Sequence, residues 1–194
     1  MDNLTLITPP AVEPISLAEA KLHLRLDLTT EDVLIAALIT AAREHCEILT
    51  WRALATQTVE MILNNFPSVN SIELSRPPLQ SVTSVKYKNS AGVETTMAIT
   101  DYIVIADKTP GEIILPYSRQ WPSFIPFPSG AVRIRYVCGH STLLTIPISI
   151  KQAMLLIIGH LYEHRESTTE KTLWEVPMAV SSLLRPYKIS FLGR

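Results

Sequence analysis

An uninterrupted apolar run lies within the segment Pro147–Glu166. Every side chain from Ala153 to Ile158 is apolar, and after Pro147 only Gly159 weakens a helical pattern. A helix without a polar face has to be covered on all sides, by other elements or by other copies of the chain. The run is too short for a bilayer span, which needs roughly 20 apolar residues. We therefore interpret this segment as the central core helix.

A second helical pattern, over residues 31–50, has one apolar and one polar side. Thr29–Asp32 supplies a capping pattern with acid at the predicted helix start. The apolar side consists of Leu34, Ile35, Leu38, Ile39, Ala42, His45, Cys46 and Leu49. The polar side consists of Glu31, Asp32, Thr40, Arg43, Glu44 and Glu47. Such a pattern predicts an amphipathic helix that packs against the core helix.

The segment before residue 31 predicts an extended arm and one short helix. Residues 1–14 carry three prolines, and we expect them to be either disordered or laid against a neighbouring molecule. Ser16–Glu19 has the sequence of a capping box, which predicts a helix through about Arg25.

From residue 56 the pattern changes from helical to alternating. Seven short strands are predicted, separated by turn sequences such as Asn89–Gly92. They are Thr56–Leu63, Ser71–Ser75, Ser81–Lys88, Val93–Ile99, Tyr102–Ala106, Glu112–Leu115 and Ala131–Val137.

Strands bracketed by helices predict an α+β fold rather than a doubly wound sheet. We expect a single domain over 1–194, in which residues 15–52 and 147–185 form an α-helical bundle. Residues 55–138 would then be a β-rich, antiparallel insertion into this helical body. Pro177–Leu184 is predicted to form a last short helix after a mobile connection, and residues 186–194 a flexible tail.

Composition and net charge limit the classes of function that the chain can have. Charged residues make up 18% of the chain, against an average of about 25%, which hints at surface buried in an assembly. A net charge of −1 argues against a protein that grips nucleic acid through its phosphates. Cys46 and Cys138 do not form a C-x-x-C pair, so free buried thiols in a reducing cytosol are expected. Neither a secretion signal nor a transmembrane segment is present in the pattern.

One motif suggests enzyme chemistry. His160, Glu163 and His164 spell H-x-x-E-H, the inverted zinc-protease signature, in which two histidines hold Zn²⁺ and the glutamate activates water. A third ligand is needed, and only three closely following glutamates are available for that role. The simpler interpretation, which we favour, is that His160 is half-buried and His164 caps the polar end of the helix.

Two further groups of residues allow a binding role. Arg133 and Arg135 on one strand, with Lys86 and Lys88 on another, could form a basic stripe toward DNA, but polar alternation on the wet face of a sheet is the favoured interpretation. The proline-stiffened loop Arg119–Phe127 carries Trp121, Phe124 and Phe127. These aromatics are either tucked over the open end of the sheet or offered to a partner, and the sequence favours neither. No phosphate-binding glycine loop is found.

Six stretches, in the same order along nearly the whole chain, carry a resemblance to a known family. They are Ser16–Asp27, Glu31–Glu44, Arg76–Val85, Gly130–Tyr136, Pro147–Glu166 and Leu183–Tyr187. Each is a structural run rather than a site, and together they resemble the head–tail connector (head-completion adaptor) family of tailed bacteriophages.

The resemblance implies a structural protein of a phage or prophage, without catalytic residues, metal or cofactor. Copies would assemble in the host cytoplasm into a ring, commonly of twelve, beneath the portal protein in the virion neck. The subunits could be monomeric in solution and assemble only on the portal. The ring would extend the channel for packaged double-stranded DNA and receive the next neck or tail-completion protein. A related ring protein, such as a tail terminator, remains an alternative.

By the same resemblance, particular regions are expected to make contacts with neighbours. The two long helices would form part of the subunit–subunit surface, the aromatic loop would face a neighbour, and the tail 186–194 would dock toward the portal. The candidate contact residues are Leu34, Leu38, Arg43, Trp121, Phe124, Phe127, Arg185, Tyr187 and Phe191.

Overall fold

A computed structural model describes residues 3–27, 29–164 and 178–189 of the chain. The chain divides into two compact units, one made of Met1–Ala11 and Ala55–Ser141 and the other of Val12–Leu54 and Thr142–Arg194. The first unit (the sheet unit) carries the strands, and the second (the helical unit) carries the α-helices. Helices together with antiparallel sheets confirm the predicted α+β class.

The described residues of the helical unit form four α-helices. They are α1 (Leu17–Leu24), α2 (Asp32–Thr50), α3 (Ile148–Glu163) and α4 (Met178–Leu184). The predicted capping box at α1 is confirmed: the Glu19 amide donates to Ser16 Oγ at 3.2 Å, and the Ser16 amide donates to Glu19 Oε2 at 2.8 Å. None of the helices in the described residues is long and apolar enough to cross a membrane.

The core of the helical unit lies where α2 and α3 pack together. Ile35, Ile39, Ala42 and Cys46 form the buried stripe of α2, on the side that the apolar pattern predicts. All six side chains from 153 to 158 on α3 are buried or half-buried. The apolar segment is therefore covered by its own subunit over most of its surface.

The polar side of α2 differs from the prediction. Arg43, expected on the exposed side, is only 4% exposed. Its Nε donates to Glu13 Oε2 at 2.8 Å and its NH1 group donates to Glu47 Oε2 at 3.0 Å, while Glu47 Oε1 accepts the Leu54 amide at 2.8 Å. The chain before α1 and the chain after α2 thus meet on this side of the helix, and a helical wheel of α2 alone cannot show that.

The sheet unit contains eight strands. They are β1 (Asn3–Thr8), β2 (Gln57–Leu63), β3 (Ser71–Glu73), β4 (Leu79–Lys88), β5 (Glu94–Thr96), β6 (Ile103–Ile105), β7 (Glu112–Ile114) and β8 (Val132–Cys138). A five-stranded sheet has the order β1-β2-β8-β4-β5, and a three-stranded sheet has the order β3-β7-β6. All the pairings within these sheets are antiparallel.

Two strand predictions need correction. Residues 3–8, expected to be part of an arm, pair with β2 as an edge strand, with Asn3 opposite Ile62. The alternation of Leu and Thr in this segment favours a strand, although the prolines that follow dominate the sequence pattern. The predicted strand Val93–Ile99 is shorter, because a 3₁₀ turn occupies Ile99–Asp101.

The first residues of the predicted flexible tail, 186–189, lie in the described part of the chain. A 3₁₀ turn occupies Arg185–Tyr187, and the Tyr187 carbonyl accepts a hydrogen bond from Arg52 Nε at 2.6 Å. The Ile189 amide donates to the Thr50 carbonyl at 3.0 Å. These contacts hold residues 186–189 against the end of α2, and the flexibility predicted for residues 186–194 stays a prediction.

Both cysteines are buried, and this predicts their reactivity. Cys46 and Cys138 are 0% exposed, and burial, with a smaller contribution from the neighbouring Glu47, raises the pKa of the Cys46 thiol to about 12. Because the thiolate is the reactive form, native protein at pH 8 is expected to release almost no thionitrobenzoate from dithionitrobenzoate. Protein in guanidinium chloride should titrate both thiols, and a thiol that reacts within seconds in native protein would contradict the burial.

Candidate assembly surfaces

The H-x-x-E-H motif forms the end of α3. His160 is half-buried, and a ring nitrogen of His164 lies 3.0 Å from the carbonyl oxygen of His160. This contact confirms the predicted capping role of His164. No group of three or more His, Cys, Asp or Glu side chains that could hold a metal occurs among the described residues. The candidate third ligands, Glu166, Glu170 and Glu175, lie outside those residues.

Three of the four residues in the predicted basic stripe, Lys86, Arg133 and Arg135, are paired with acids. Arg133 NH1 and Arg135 NH2 lie 3.3 Å and 2.9 Å from the carboxylate oxygens of Glu60. Lys86 Nζ lies 2.8 Å from Glu94 Oε1, and this contact lowers the pKa of the Glu94 carboxyl. β4 and β8 are neighbours, as a basic stripe requires, but the carboxylates of Glu60 and Glu94 offset part of its positive charge. This arrangement is that of a solvated sheet face.

Trp121 and Phe124 belong to an aromatic cluster (Phe66, Tyr87, Trp121 and Phe124) within the sheet unit. The Trp121 ring stacks on Phe66 with a centroid distance of 4.9 Å, and its indole N–H donates to the Val69 carbonyl at 2.8 Å. Phe124 contacts Tyr87 at 4.9 Å and Phe66 at 6.0 Å. Trp121 and Phe124 therefore pack against their own chain in the isolated subunit, which is the first of the two open interpretations.

The side chains that the loop does expose were not singled out by the sequence. Phe127 lies under Lys88, whose Nζ is 4.0 Å from the ring centroid. Tyr117 is 99% exposed and Ile125 is 74% exposed. The sequence around these two residues does not predict that they are exposed. Their exposure depends on how the loop packs against the aromatic cluster. Tyr117, two residues before the loop, and Ile125 within it are thus exposed apolar side chains.

The outer side of α2 is apolar. Leu38 packs against the core and Leu34 is 37% exposed, so these two predicted contact residues lie at the edge of the buried stripe. Val33 and Ile48, which the sequence analysis did not select, are 87% and 60% exposed. α2 therefore buries the charged Arg43 and Glu47 and exposes mainly aliphatic side chains, together with Glu44.

The C-terminal candidates fall in different surroundings. The Arg185 side chain is exposed, whereas Tyr187 is half-buried and packs against the core of the helical unit. Phe191 lies outside the described residues. Of the two C-terminal candidate contact residues in the described part of the chain, Arg185 and Tyr187, Arg185 is therefore the exposed one.

Solved structures share the fold over the full length of the chain. A chain in the virion of a native gene transfer agent particle matches with a TM-score of 0.80 and 24% identity, covering 99% of this chain and 98% of that chain. A chain in the neck of an empty particle, computed with C6 symmetry, gives 0.79 and 23%, covering 98% of each. A chain in the neck of a native particle, computed with C12 symmetry, gives 0.76 and 24%, covering 100% and 98%.

The family assignment comes from the sequence. No curated protein matches the chain. The model of one family, described as head completion protein, matches residues 13–188. This match spans both units and contains all six stretches on which the predicted resemblance depends. It confirms that prediction, and the chain belongs to the head completion protein family.

Proposed function

We propose that the protein is a structural head–tail connector, which forms a ring in the virion neck and joins the packaged head to the tail. The observation that carries the proposal is the family match over residues 13–188. The full-length likeness to chains from particle necks computed with C6 and C12 symmetry supports the ring. We propose that the ring contains twelve copies. Its subunits are monomeric in solution and assemble in the host cytoplasm.

The proposed subunit has a helical body and a β-rich insertion within one connector domain. Residues 15–52 and 147–185 would form the body as a helical bundle, and residues 55–138 the insertion. The proposed partners are a second copy on each side, the portal protein at one end and the next neck or tail-completion protein at the other. The exposed Tyr117 beside the aromatic loop, the exposed Ile125 within it and the exposed Arg185 support contacts at such surfaces.

Packaged double-stranded DNA would pass through the ring without being held. The net charge of −1 supports this role, because holding DNA by its phosphates requires an excess of clustered cations. The proposed role requires no enzymatic activity and no cofactor. A metal assay of the purified protein distinguishes it from the zinc-hydrolase hypothesis, which requires one Zn²⁺ per chain held by His160 and His164.

Deletion of the encoding gene tests the connector role and separates it from the tail-terminator alternative. The connector role predicts DNA-filled heads and free tails of normal length, and a plasmid copy of the gene should restore joined particles. A tail terminator predicts tails of abnormal length instead. Joined particles at wild-type frequency in the deletion strain would contradict both roles. The readout is a count of particle classes in negatively stained lysates.

Removal of residues 190–194 tests the proposed docking tail. The truncation leaves the contacts of Tyr187 and Ile189 with the end of α2 in place. We therefore expect an unchanged melting temperature, but at least about a tenfold loss of joined particles if binding energy of the order of 1.4 kcal/mol is removed.

A matched control replaces the same five residues with a Ser–Gly sequence of equal length. It should fail as the truncation does, because it keeps the length but lacks Phe191 and Arg194. If both variants join heads and tails like the wild type, the docking role of the tail is wrong.

A further inference from the structure

The exposed side of α2 is a ridge of apolar side chains opposite the buried stripe. A helix turns by about 100° per residue, which places Ala37, Ala41 and Ile48 within about 20° of the side opposite the buried Ile39, and Val33 about 60° from that side. All four are exposed, Val33 to 87% and Ile48 to 60%. An isolated subunit gains nothing from this arrangement, since a helix on a free surface normally turns its polar residues outward.

One charged side chain lies on this ridge. Glu44 falls between Ala41 and Ile48, and its side chain is 59% exposed, with only a 3.5 Å contact to Arg43 NH2. Arg43 is already bound to Glu13 and Glu47 at 2.8 Å and 3.0 Å. Glu44 is therefore a weakly compensated carboxylate in the middle of an apolar surface, which we name the α2 ridge (Val33, Ala37, Ala41, Glu44 and Ile48).

The same helical unit carries a groove between α1 and α3. It has a volume of about 400 Å³ and its apolar lining includes Ile15, Leu22, Ile148 and Leu155. Leu22 is 81% exposed and Ile148 is 76% exposed. Ile15 and Leu22 line the α1 side of the groove, and Ile148 and Leu155 line the α3 side. The two residues of each pair are seven positions apart, which is about two helical turns. The α1–α3 groove is thus an open apolar surface.

The polar groups that face the groove are Glu19, His23, Lys151 and Gln152. Two hydrogen bonds from Ser16 occupy the Glu19 carboxylate and lower its pKa, to which the nearby Lys151 charge adds a smaller effect. No carboxylate lies within ion-pair distance of Lys151 in the described part of the chain. The groove therefore offers a cation where the ridge offers a carboxylate.

We propose that the α2 ridge of one copy seats in the α1–α3 groove of a second copy, with Glu44 against Lys151. A closed ring needs two different, complementary patches on each subunit, so that the same contact repeats head to tail. An apolar ridge that carries Glu44 and an apolar groove that carries Lys151 meet that requirement on one helical unit, and a helix laid in a groove is a common recognition mode. The inference depends on the proposed ring and assigns its subunit interface.

Charge reversal tests the pairing. Glu44→Lys and Lys151→Glu should each reduce joined particles by about tenfold or more, because each places like charges at the interface. The double variant Glu44→Lys/Lys151→Glu should return to within about twofold of the wild type, since the pair is restored with reversed sign. Both side chains are accessible, so the melting temperatures should be unchanged. Failure of the double variant to recover, with each single variant defective and folded, would overturn the pairing.

Cross-linking in purified particles tests the contact directly. Because the natural cysteines are buried, a Glu44→Cys/Lys151→Cys variant has two accessible thiols, and a short bismaleimide should link it into a ladder of multimers. The matched control Glu44→Cys/Lys188→Cys, which uses another exposed lysine of the helical unit, should give monomers. Either single-cysteine variant forming dimers would indicate a symmetric contact and overturn the proposal.

Two other outcomes separate this inference from the function on which it rests. If the variant is present in necks and gives no ladder, or links to a different protein, the interface is wrong and the connector role stands. If the protein is absent from necks altogether, the connector role and the interface both fail.

Discussion

Arg43→Met is expected to lower the free energy of unfolding by about 3–5 kcal/mol, the range for breaking a buried ion pair by removing one partner. Arg43 is 4% exposed and joins Glu13, before α1, to Glu47 on α2. Without the guanidinium, the two carboxylates remain close together with no cation between them. Denaturant unfolding followed by circular dichroism gives the measurement.

Two further variants make this prediction specific to burial. Arg133→Met removes the same side chain from an exposed pair, and about 1 kcal/mol or less is expected because Arg135 still holds Glu60. The double variant Arg43→Met/Glu47→Gln should recover part of the loss. It removes one buried charge and keeps the oxygen that accepts the Leu54 amide. Equal losses for Arg43→Met and Arg133→Met would show that the network is not buried in solution.

Gly139→Ala is expected to destabilise the protein by about 3–5 kcal/mol, the sum of a backbone effect and a steric effect. Gly139 follows β8 with φ of +101°, and a Cβ atom there would lie 2.1 Å from the Ala55 carbonyl oxygen. The Gly139 amide also donates to the Pro78 carbonyl at 2.9 Å, so the residue cannot move away freely. Thermal and denaturant unfolding of the variant measure the effect.

Gly92→Ala is the matched control for this substitution. Gly92 also has a positive φ, +82°, but the nearest atom to an added Cβ is Lys88 Cε at 3.7 Å. It should therefore show only the backbone effect, about 1–2 kcal/mol. The difference between the two variants measures the clash with Ala55. If the two lose the same stability, the close approach at Gly139 is absent.

The helices could be predicted well from the sequence because their signals are local. Ser16 and Glu19 announce the start of α1, and the spacing of Ile35, Ile39 and Ala42 identifies the buried face of α2. These patterns follow from 3.6-residue periodicity and from end-capping, which depend on near neighbours alone. The apolar run on α3 likewise needs no tertiary information.

The misplaced features depend on contacts between segments distant in sequence. Arg43 was assigned to the polar side because nothing in the pattern shows that Glu13 reaches it across 30 positions. Tyr187 was placed in the tail, although Arg52 bonds its carbonyl across 135 positions. In both cases a polar contact between residues distant in sequence decides burial. Local secondary-structure propensity cannot indicate such a contact.

The candidate surface was only partly predictable for a related reason. Leu34 and Leu38 were selected as contact residues because they are apolar, but the most exposed aliphatic residues of α2 are Val33 and Ile48. An apolar residue on a two-faced apolar helix can belong to either face. The choice between them requires knowledge of which side α3 covers.

A reconstruction of the particle neck, from the wild type and from the gene deletion, tests the connector role most directly. The connector role predicts a ring of copies of this fold between head and tail in wild-type particles. It also predicts heads that lack this ring, and carry no tail, in the deletion strain. A wild-type neck with no density that fits this fold, or a complete neck in the deletion strain, would contradict it.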